Sequence, residues 1–262
     1  MDDAHALLAL YDAQLRTEAE TAGALATATL GALRLATFAG GSGFVTYRDL
    51  GDADAIEVGR LVQEALDRFR SDPAVTRVEW KTRGHDRAPG LIEALLRHGF
   101  VAEEPESIMV GRAELLAVDV ALPTGVTLRR LRTEDEVRAA SAAQDEAVGV
   151  PRSDERAADL LRRLELDDTV ELWAAEVDGR VVSVGRLEPV PGSDFAGLWG
   201  GATLPAWRGR GLYRALTAVR ARSALRLGRP LLHSDSTEFS RPILERSGLV
   251  RVSTTTPYQW RR

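Results

Sequence analysis

Apolar residues in the second half of the chain follow two rhythms. Alternation over residues 126–131 predicts a strand. Thr133-Glu134-Asp135-Glu136 has the spacing of a capping box and predicts a helix to about Val148. Pro151-Arg152-Ser153 opens a second helix through Leu164. Apolar runs at 170–177 and 180–187 are joined by Asp178-Gly179, a hairpin signal. After a loop at 189–194, residues 198–203 read as a buried strand that ends before Pro205. Leu212, Leu216, Val219, Ala224 and Leu225 then recur at helical spacing. Residues 230–234 read as a further strand, and 240–247 as a helix closed by Gly248. Strands through Val252 and Tyr258 complete the order β-α-α-β-β-β-α-β-α-β-β.

The first half repeats this plan in worn form. Leu95-Leu96-Arg97-His98-Gly99-Phe100-Val101 parallels Leu244-Glu245-Arg246-Ser247-Gly248-Leu249-Val250, and at the same offset Asp86 falls opposite Asp235. Residues 34–38 and 43–47 predict strands, and 58–69 an amphipathic helix. Pro123 and Gly125 mark a linker, which divides the chain into residues 1–117 and 124–262.

Chemistry concentrates between the strand at 198–203 and the helix after it, in Trp207-Arg208-Gly209-Arg210-Gly211-Leu212-Tyr213-Arg214. Glycines let the backbone approach a ligand and take dihedrals that other residues resist. A helix N-terminus offers unpaired N–H donors and partial positive charge, to which Arg208, Arg210 and Arg214 add full charges. The pattern predicts a diphosphate site. It is not a P-loop, because no Lys-Ser/Thr pair follows the second glycine, and it lacks the third glycine of a dinucleotide fingerprint. At the equivalent place the first half carries Leu50-Gly51-Asp52-Ala53-Asp54, whose carboxylates would repel a diphosphate.

Composition narrows the alternatives. The chain has 262 residues, 44% of them apolar, which is enough for a substantial core. No run approaches the roughly 18 apolar residues of a membrane span. The acidic start Met-Asp-Asp-Ala-His lacks a secretory pattern, so a cytoplasmic location is expected. With no cysteine there is no disulfide, thiolate zinc site or cysteine nucleophile. His5, His85, His98 and His233 show no metal-ligand spacing, and no Gly-x-Ser-x-Gly elbow occurs, so no metal is expected. Net charge is −5, the first half being acidic and the second slightly basic. That balance points away from nucleic acid and toward a small phosphate-bearing partner.

With its flanks, the loop resembles the Arg-x-x-Gly-x-Gly/Ala pyrophosphate loop of the GNAT superfamily of N-acetyltransferases. Arg208, Gly211 and the Pro205 lead-in match; Tyr213 departs, standing at the last small position. The element order of the second half is similar to the GNAT fold over about 140 residues. The first half, with Glu79-Trp80-Lys81 and Gly84-His85-Asp86, looks like that of bacterial two-domain members. The resemblance implies an α/β (α+β) protein of two tandem GNAT-like domains, each a mixed, mostly antiparallel sheet flanked by helices. It implies a structural or substrate-shaping first domain and an acetyl-CoA-binding catalytic second. A primary amine of a small molecule would be acetylated by direct transfer, in a monomer or homodimer. The alternatives are a non-catalytic CoA-binding module and a transferase for longer acyl groups or protein lysine.

On that resemblance Arg208, Gly209, Arg210, Gly211, Leu212, Tyr213 and Arg214 hold the phosphates. Ala202, Thr203 and Leu204 meet the pantetheine arm through their backbone, and a strand-end N–H serves the oxyanion. Many members carry a general-acid tyrosine in the helix matching 240–247, where this chain has Leu244, and Ser240 stands where relatives place a cofactor-contacting asparagine. Asp235 is the leading candidate base and Tyr258 a candidate proton donor, with Glu188 and His233 behind them. His85-Asp86 reads as a turn cap.

Overall fold

The computed structural model describes residues 3–262; Met1 and Asp2, part of the acidic start, lie outside the described residues. In chain order the elements are α1 (Asp3–Gln14), β1 (Ala26–Leu30), β2 (Leu33–Phe38), β3 (Ser42–Tyr47), α2 (Ala55–Arg70), β4 (Arg77–Arg83), α3 (Leu91–Arg97), β5 (Val101–Ala102), β6 (Glu106–Arg112) and α4 (Ala113–Leu116). There follow β7 (Val126–Leu131), α5 (Glu134–Val148), α6 (Ser153–Leu166), β8 (Glu171–Val177), β9 (Arg180–Pro189), β10 (Phe195–Thr203), α7 (Leu212–Arg226), β11 (Leu231–Ser236), α8 (Arg241–Arg246) and β12 (Val250–Arg261).

These elements form two compact units that are not contiguous in the chain. The first takes the chain up to Ile108 together with Asp235–Glu238 and Arg251–Arg262; the second takes Met109–Ser234 and Phe239–Val250. The division at 117/124 expected from the linker signal therefore needs correcting. The physical reason is strand pairing: β12 runs antiparallel to β4 from Thr255↔Arg83 to Arg261↔Arg77, so the last residues hydrogen-bond to the first unit. The strands expected at 252 and 258 are one continuous strand.

In the first unit β1, β2 and β3 pair antiparallel in sequence, and β3 pairs parallel with β4. A parallel neighbour needs a crossover, and α2 supplies it. Val58, Leu61, Val62, Leu66 and Phe69 of α2 stand at helical spacing and pack on Val45, Val78 and Trp80 of the sheet. Helix α1 and strand β1 escape the sequence reading. Strand β1 alternates Ala and Thr before its single large apolar residue, Leu30, and α1 buries just Leu7 and Tyr11.

In the second unit β7, β8, β9 and β10 pair antiparallel in sequence, and β10 pairs parallel with β11 across the α7 crossover. Helix α5 opens on the expected capping box, with both reciprocal bonds of Thr133 and Glu136 formed. Helix α7 buries Leu212, Ala215, Leu216, Ala218, Ala221 and Ala224, the small residues letting it lie close to the sheet. Leu225, counted with the apolar stripe, is 40% exposed.

Candidate active site

The site begins where β10 gives way to α7. Pro205 starts a single tight turn to Trp207, whose N–H reaches Leu204 O at 2.8 Å. Gly209 and Gly211 both take left-handed dihedrals, φ +73° and +80°, and a Cβ at either would meet nothing within 4 Å. The space beyond both Cα atoms is open. Gly211 is the N-cap of α7, no side chain caps that end, and the first turn carries no acid. Backbone N–H groups of a first helical turn have no partner within the helix. Those of α7 are left with the helix's positive end and no carboxylate of their own.

The first unit resolves the same geometry in the opposite way. At α2 the N-cap Asp54 accepts from Ile56 N and Glu57 N, each at 2.9 Å. Its own carboxylate fills the place a phosphate would take, which is a sharper reason than repulsion for reading no phosphate site there.

The arginines of the loop divide their work. Arg208 donates Nε to Thr203 O at 3.1 Å and Nη2 to Ala147 O at 2.7 Å, tying the end of β10 to the end of α5. It shapes the loop through carbonyls. The Arg210 guanidinium stacks over the Trp207 ring at 4.7 Å, while Arg214 lies exposed on the first turn of α7.

Beside the loop, the end of β10 is irregular. Its register with β9 shifts between Trp199 and Ala202, and Gly200 sits at φ +60° with its carbonyl held by Gln144 Nε2 at 3.0 Å. Pairing with β11 runs from Phe195↔Leu231 to Gly197↔His233. Strand β10 continues past that register to Thr203, and a strand edge of this kind is where an amide-bearing arm could add its own hydrogen bonds. Ala202 and Thr203 lie on this stretch, opposite Val184 and Ser183. Ser183 Oγ donates to Ala202 O at 2.9 Å and meets Thr203 Oγ1 at 2.7 Å. Leu204 does not fit the arm-binding part expected of it: its N–H goes to Val182 O at 2.9 Å and its carbonyl to Trp207.

Tyr213 faces this stretch from α7. A Cβ on Gly201 would lie 2.7 Å from the Tyr213 ring, so the ring rests directly on the β10 backbone. Its phenol hydrogen-bonds the side chain of Ser240, the residue before α8. Ser240 and Tyr213, placed separately by the sequence reading, are thus joined.

The expected proton carriers have other partners. Asp235 belongs to the first unit, where Lys81 Nζ meets Oδ2 at 2.5 Å and the carboxylate is 6% exposed. Tyr258 is buried in the first unit's apolar core beside Trp80 and Trp260, so its role there is packing. His233 packs edge-on against Phe195 and Trp199, with ring centres at 6.0 and 5.2 Å. Glu188 accepts from Arg186 Nε at 2.5 Å. Asp86 is not a turn cap: Arg16 Nη1 reaches it at 2.7 Å, and His85 bonds Ser253 at 2.7 Å and Asp12 at 3.1 Å.

Two charged residues of the second unit went unread. Glu171 is 5% exposed and takes hydrogen bonds from Arg130, Trp173 Nε1 and Ser223. Arg220 is 1% exposed, and its hydrogen bonds go to neutral oxygens: Leu216 O and Arg186 O at 3.0 Å and Thr217 Oγ1 at 3.3 Å. Burial pulls this guanidinium down to about 10, against the attraction of Tyr213. The signal for Arg220 was its spacing, one helical turn beyond Leu216 on the buried face.

Residues 133–229 match the acetyltransferase (GNAT) family, a span that covers α5 to α7 and the loop between β10 and α7. Among solved structures, a GCN5-related N-acetyltransferase from Kribbella flavida superposes with a TM-score of 0.66 at 16% identity, over 98% of this chain and 93% of that one. A tandem GNAT protein from the clavulanic acid biosynthesis pathway has a TM-score of 0.62 at 15% identity, over 87% of this chain and 78% of that one. A GCN5-related N-acetyltransferase from Sphaerobacter thermophilus also has a TM-score of 0.62, at 17% identity over 88% and 76% of the two chains. No curated protein matches in sequence. Residues 133–229 are thus similar to the GNAT family, and the chain has the fold of these GNAT structures.

Proposed function

We propose that this chain is an acetyl-CoA-dependent N-acetyltransferase that acetylates a primary amine by direct transfer. The observation that carries the reading is the uncapped start of α7, with two left-handed glycines whose Cβ positions are open, next to the end of β10 beyond its register with β11. Backbone N–H groups of Leu212, Tyr213 and Arg214 would hold the diphosphate, helped by the charge of Arg210 and Arg214. Arg208 would keep the loop in shape from behind. Ala202 and Thr203 would offer the arm a strand edge, with a strand-end N–H for the oxyanion. Ser240 would stand beside the arm.

Asp235 and Tyr258 receive no proton-carrying part in this proposal. Lys81 holds the first, and an apolar core surrounds the second. Among the described residues no helix is long and apolar enough to cross a membrane. The second unit does the chemistry, and the first, whose equivalent helix start is filled by Asp54, shapes or supports it.

Calorimetric titration with CoA, followed by thiol release from acetyl-CoA over a panel of primary amines, tests this reading. Micromolar binding and amine-dependent thiol release are expected. Absence of CoA binding would overturn the proposal. Binding without turnover on any amine would make the chain a CoA-binding module.

A further inference from the structure

Acyl transfer from a thioester leaves a thiolate that needs a proton, and Leu244 on α8 has none to give. We infer that Tyr213, reaching across from α7, is the proton donor to the departing sulfur, with Ser240 and the buried Arg220 setting its orientation and its electrostatic surroundings. This inference rests on the proposed acetyl-CoA-dependent reaction.

Three observations converge on Tyr213. Its ring packs against the apolar cluster that contains Leu198 of β10 and Leu244 of α8. Its phenol is bonded to Ser240, which lies one helical turn before Leu244 and hence on the same face of α8. A hydroxyl is thereby delivered to the very face where α8 supplies only a hydrocarbon. The bare Cα of Gly201 lets the ring lie over the face of β10 beyond its register with β11, beside the edge along which a pantetheine arm would run.

Other hydroxyls nearby are committed. Ser183 and Thr203 bond each other, Ser234 donates to Leu198 O at 3.0 Å, and Thr217 donates to Tyr213 O at 2.9 Å. Arg220 has three neutral oxygens as hydrogen-bond partners and no carboxylate among them, so a phenolate formed at Tyr213 would find an uncompensated cation waiting. Burial raises the phenol above its ordinary value, while the charge of Arg220 and the bond to Ser240 pull it back. Strand β10 brings no ionisable side chain to this place, and Arg220 is the charged group that acts on the phenol.

The step balances. The amine nitrogen bonds the acyl carbon, the C–S bond breaks, and its electron pair goes to sulfur. Tyr213 gives its proton to that sulfur and regains one from the newly acylated nitrogen, by way of Ser240 or water. Amine and acyl-CoA become amide and free thiol.

The test compares wild type with Tyr213→Phe by calorimetry and by pH–rate profile. CoA should bind Tyr213→Phe about fivefold more weakly than wild type, the loss of one hydrogen bond to the thiol, while kcat falls roughly 100-fold, the lower end of general acid contributions. The alkaline limb of the kcat profile, which reports loss of the acid's proton, should disappear. Wild type should bind CoA about fivefold more tightly than desulfo-CoA, through one neutral hydrogen bond to the thiol, and Tyr213→Phe should bind the two equally. Ser240→Ala keeps the ring and removes its partner, so its alkaline limb should move to higher pH. A kcat within threefold of wild type, or an unchanged CoA to desulfo-CoA ratio, would overturn the inference while leaving the proposed activity standing. If Tyr213→Phe does not fold, an unmoved limb in Ser240→Ala overturns it instead. Wild-type protein that binds no CoA would remove both.

Discussion

Lys81 and Asp235 form a buried ion pair, Nζ to Oδ2 at 2.5 Å, although 154 positions separate them in the chain. Burial on its own pushes the Lys81 ammonium down, but the Asp235 carboxylate, with Tyr11 and Glu20 behind it, outweighs burial and holds the ammonium above its ordinary value. A cation raised in this way contributes stability that is fully present below its unfolded value of roughly 10.4. That contribution is lost only as pH rises through the higher folded value. Lys81→Met is therefore expected to cost about 3–5 kcal/mol at neutral pH, because it strands a buried carboxylate. Lys81→Met combined with Asp235→Leu should recover most of the loss. Urea denaturation of the two single variants and the double variant measures the coupling, and additive losses would contradict a paired role for Asp235.

Gly211→Asp places a carboxylate at the start of α7, copying what Asp54 does at α2. Its Cβ meets nothing within 4 Å, so the fold should survive with a small loss from the left-handed backbone. CoA affinity should fall by roughly 100-fold, about 2.8 kcal/mol at 1.4 kcal/mol per decade. Unchanged affinity by calorimetry, with an unchanged melting curve, would count against this loop as the phosphate site.

Gly201→Ala drives a methyl into the Tyr213 ring, since the added Cβ would stand 2.7 Å from it with backbone on the other side. Overpacking of this kind costs about 1–3 kcal/mol. Adding Tyr213→Leu should relieve it, so the pair is expected to be more stable than Gly201→Ala alone. Equal stability of the single and double variants would mean that the ring moves aside without cost.

Glu136 accepts from the backbone N–H groups of Arg132 and Thr133 at 2.7 and 2.9 Å, and from the Arg129 guanidinium. These bonds, the backbone ones first, hold its carboxyl down at about 2. A depressed carboxyl contributes stability that is present above its unfolded value of roughly 4.3 and lost as pH falls toward about 2. Glu136→Gln should flatten the fall in stability across that window and leave the alkaline side unchanged. Thr133→Ala, which removes the other half of the box, should cost about 1 kcal/mol. Melting temperatures at pH 3, 5 and 7 would distinguish the two outcomes.

Much of the second unit was legible because its signals are local. Thr133 and Glu136 stand three residues apart and satisfy each other across one helical turn, so the start of α5 needs no distant partner. Asp178-Gly179 turns the chain between β8 and β9 by its own dihedrals, with φ of 49° and 77°. The same holds for Gly209 and Gly211, whose left-handed conformations open the loop before α7. In each case the interaction that decides the structure lies within a few residues of its cause.

The sequence by itself determined the strand, glycine loop and helix of the candidate site, and the GNAT-like order of elements around it. Only the tertiary structure decided which polar groups are spent. Asp235 became a partner of Lys81, Tyr258 joined the core of the other unit, and Leu204 gave both backbone groups to its neighbours. It also laid Tyr213 on Gly201 and bonded it to Ser240, and it left Arg220 buried among neutral oxygens. Periodicity reports which side of an element is apolar, but a side chain's protonation and freedom depend on neighbours brought close by folding, and sequence distance does not encode those.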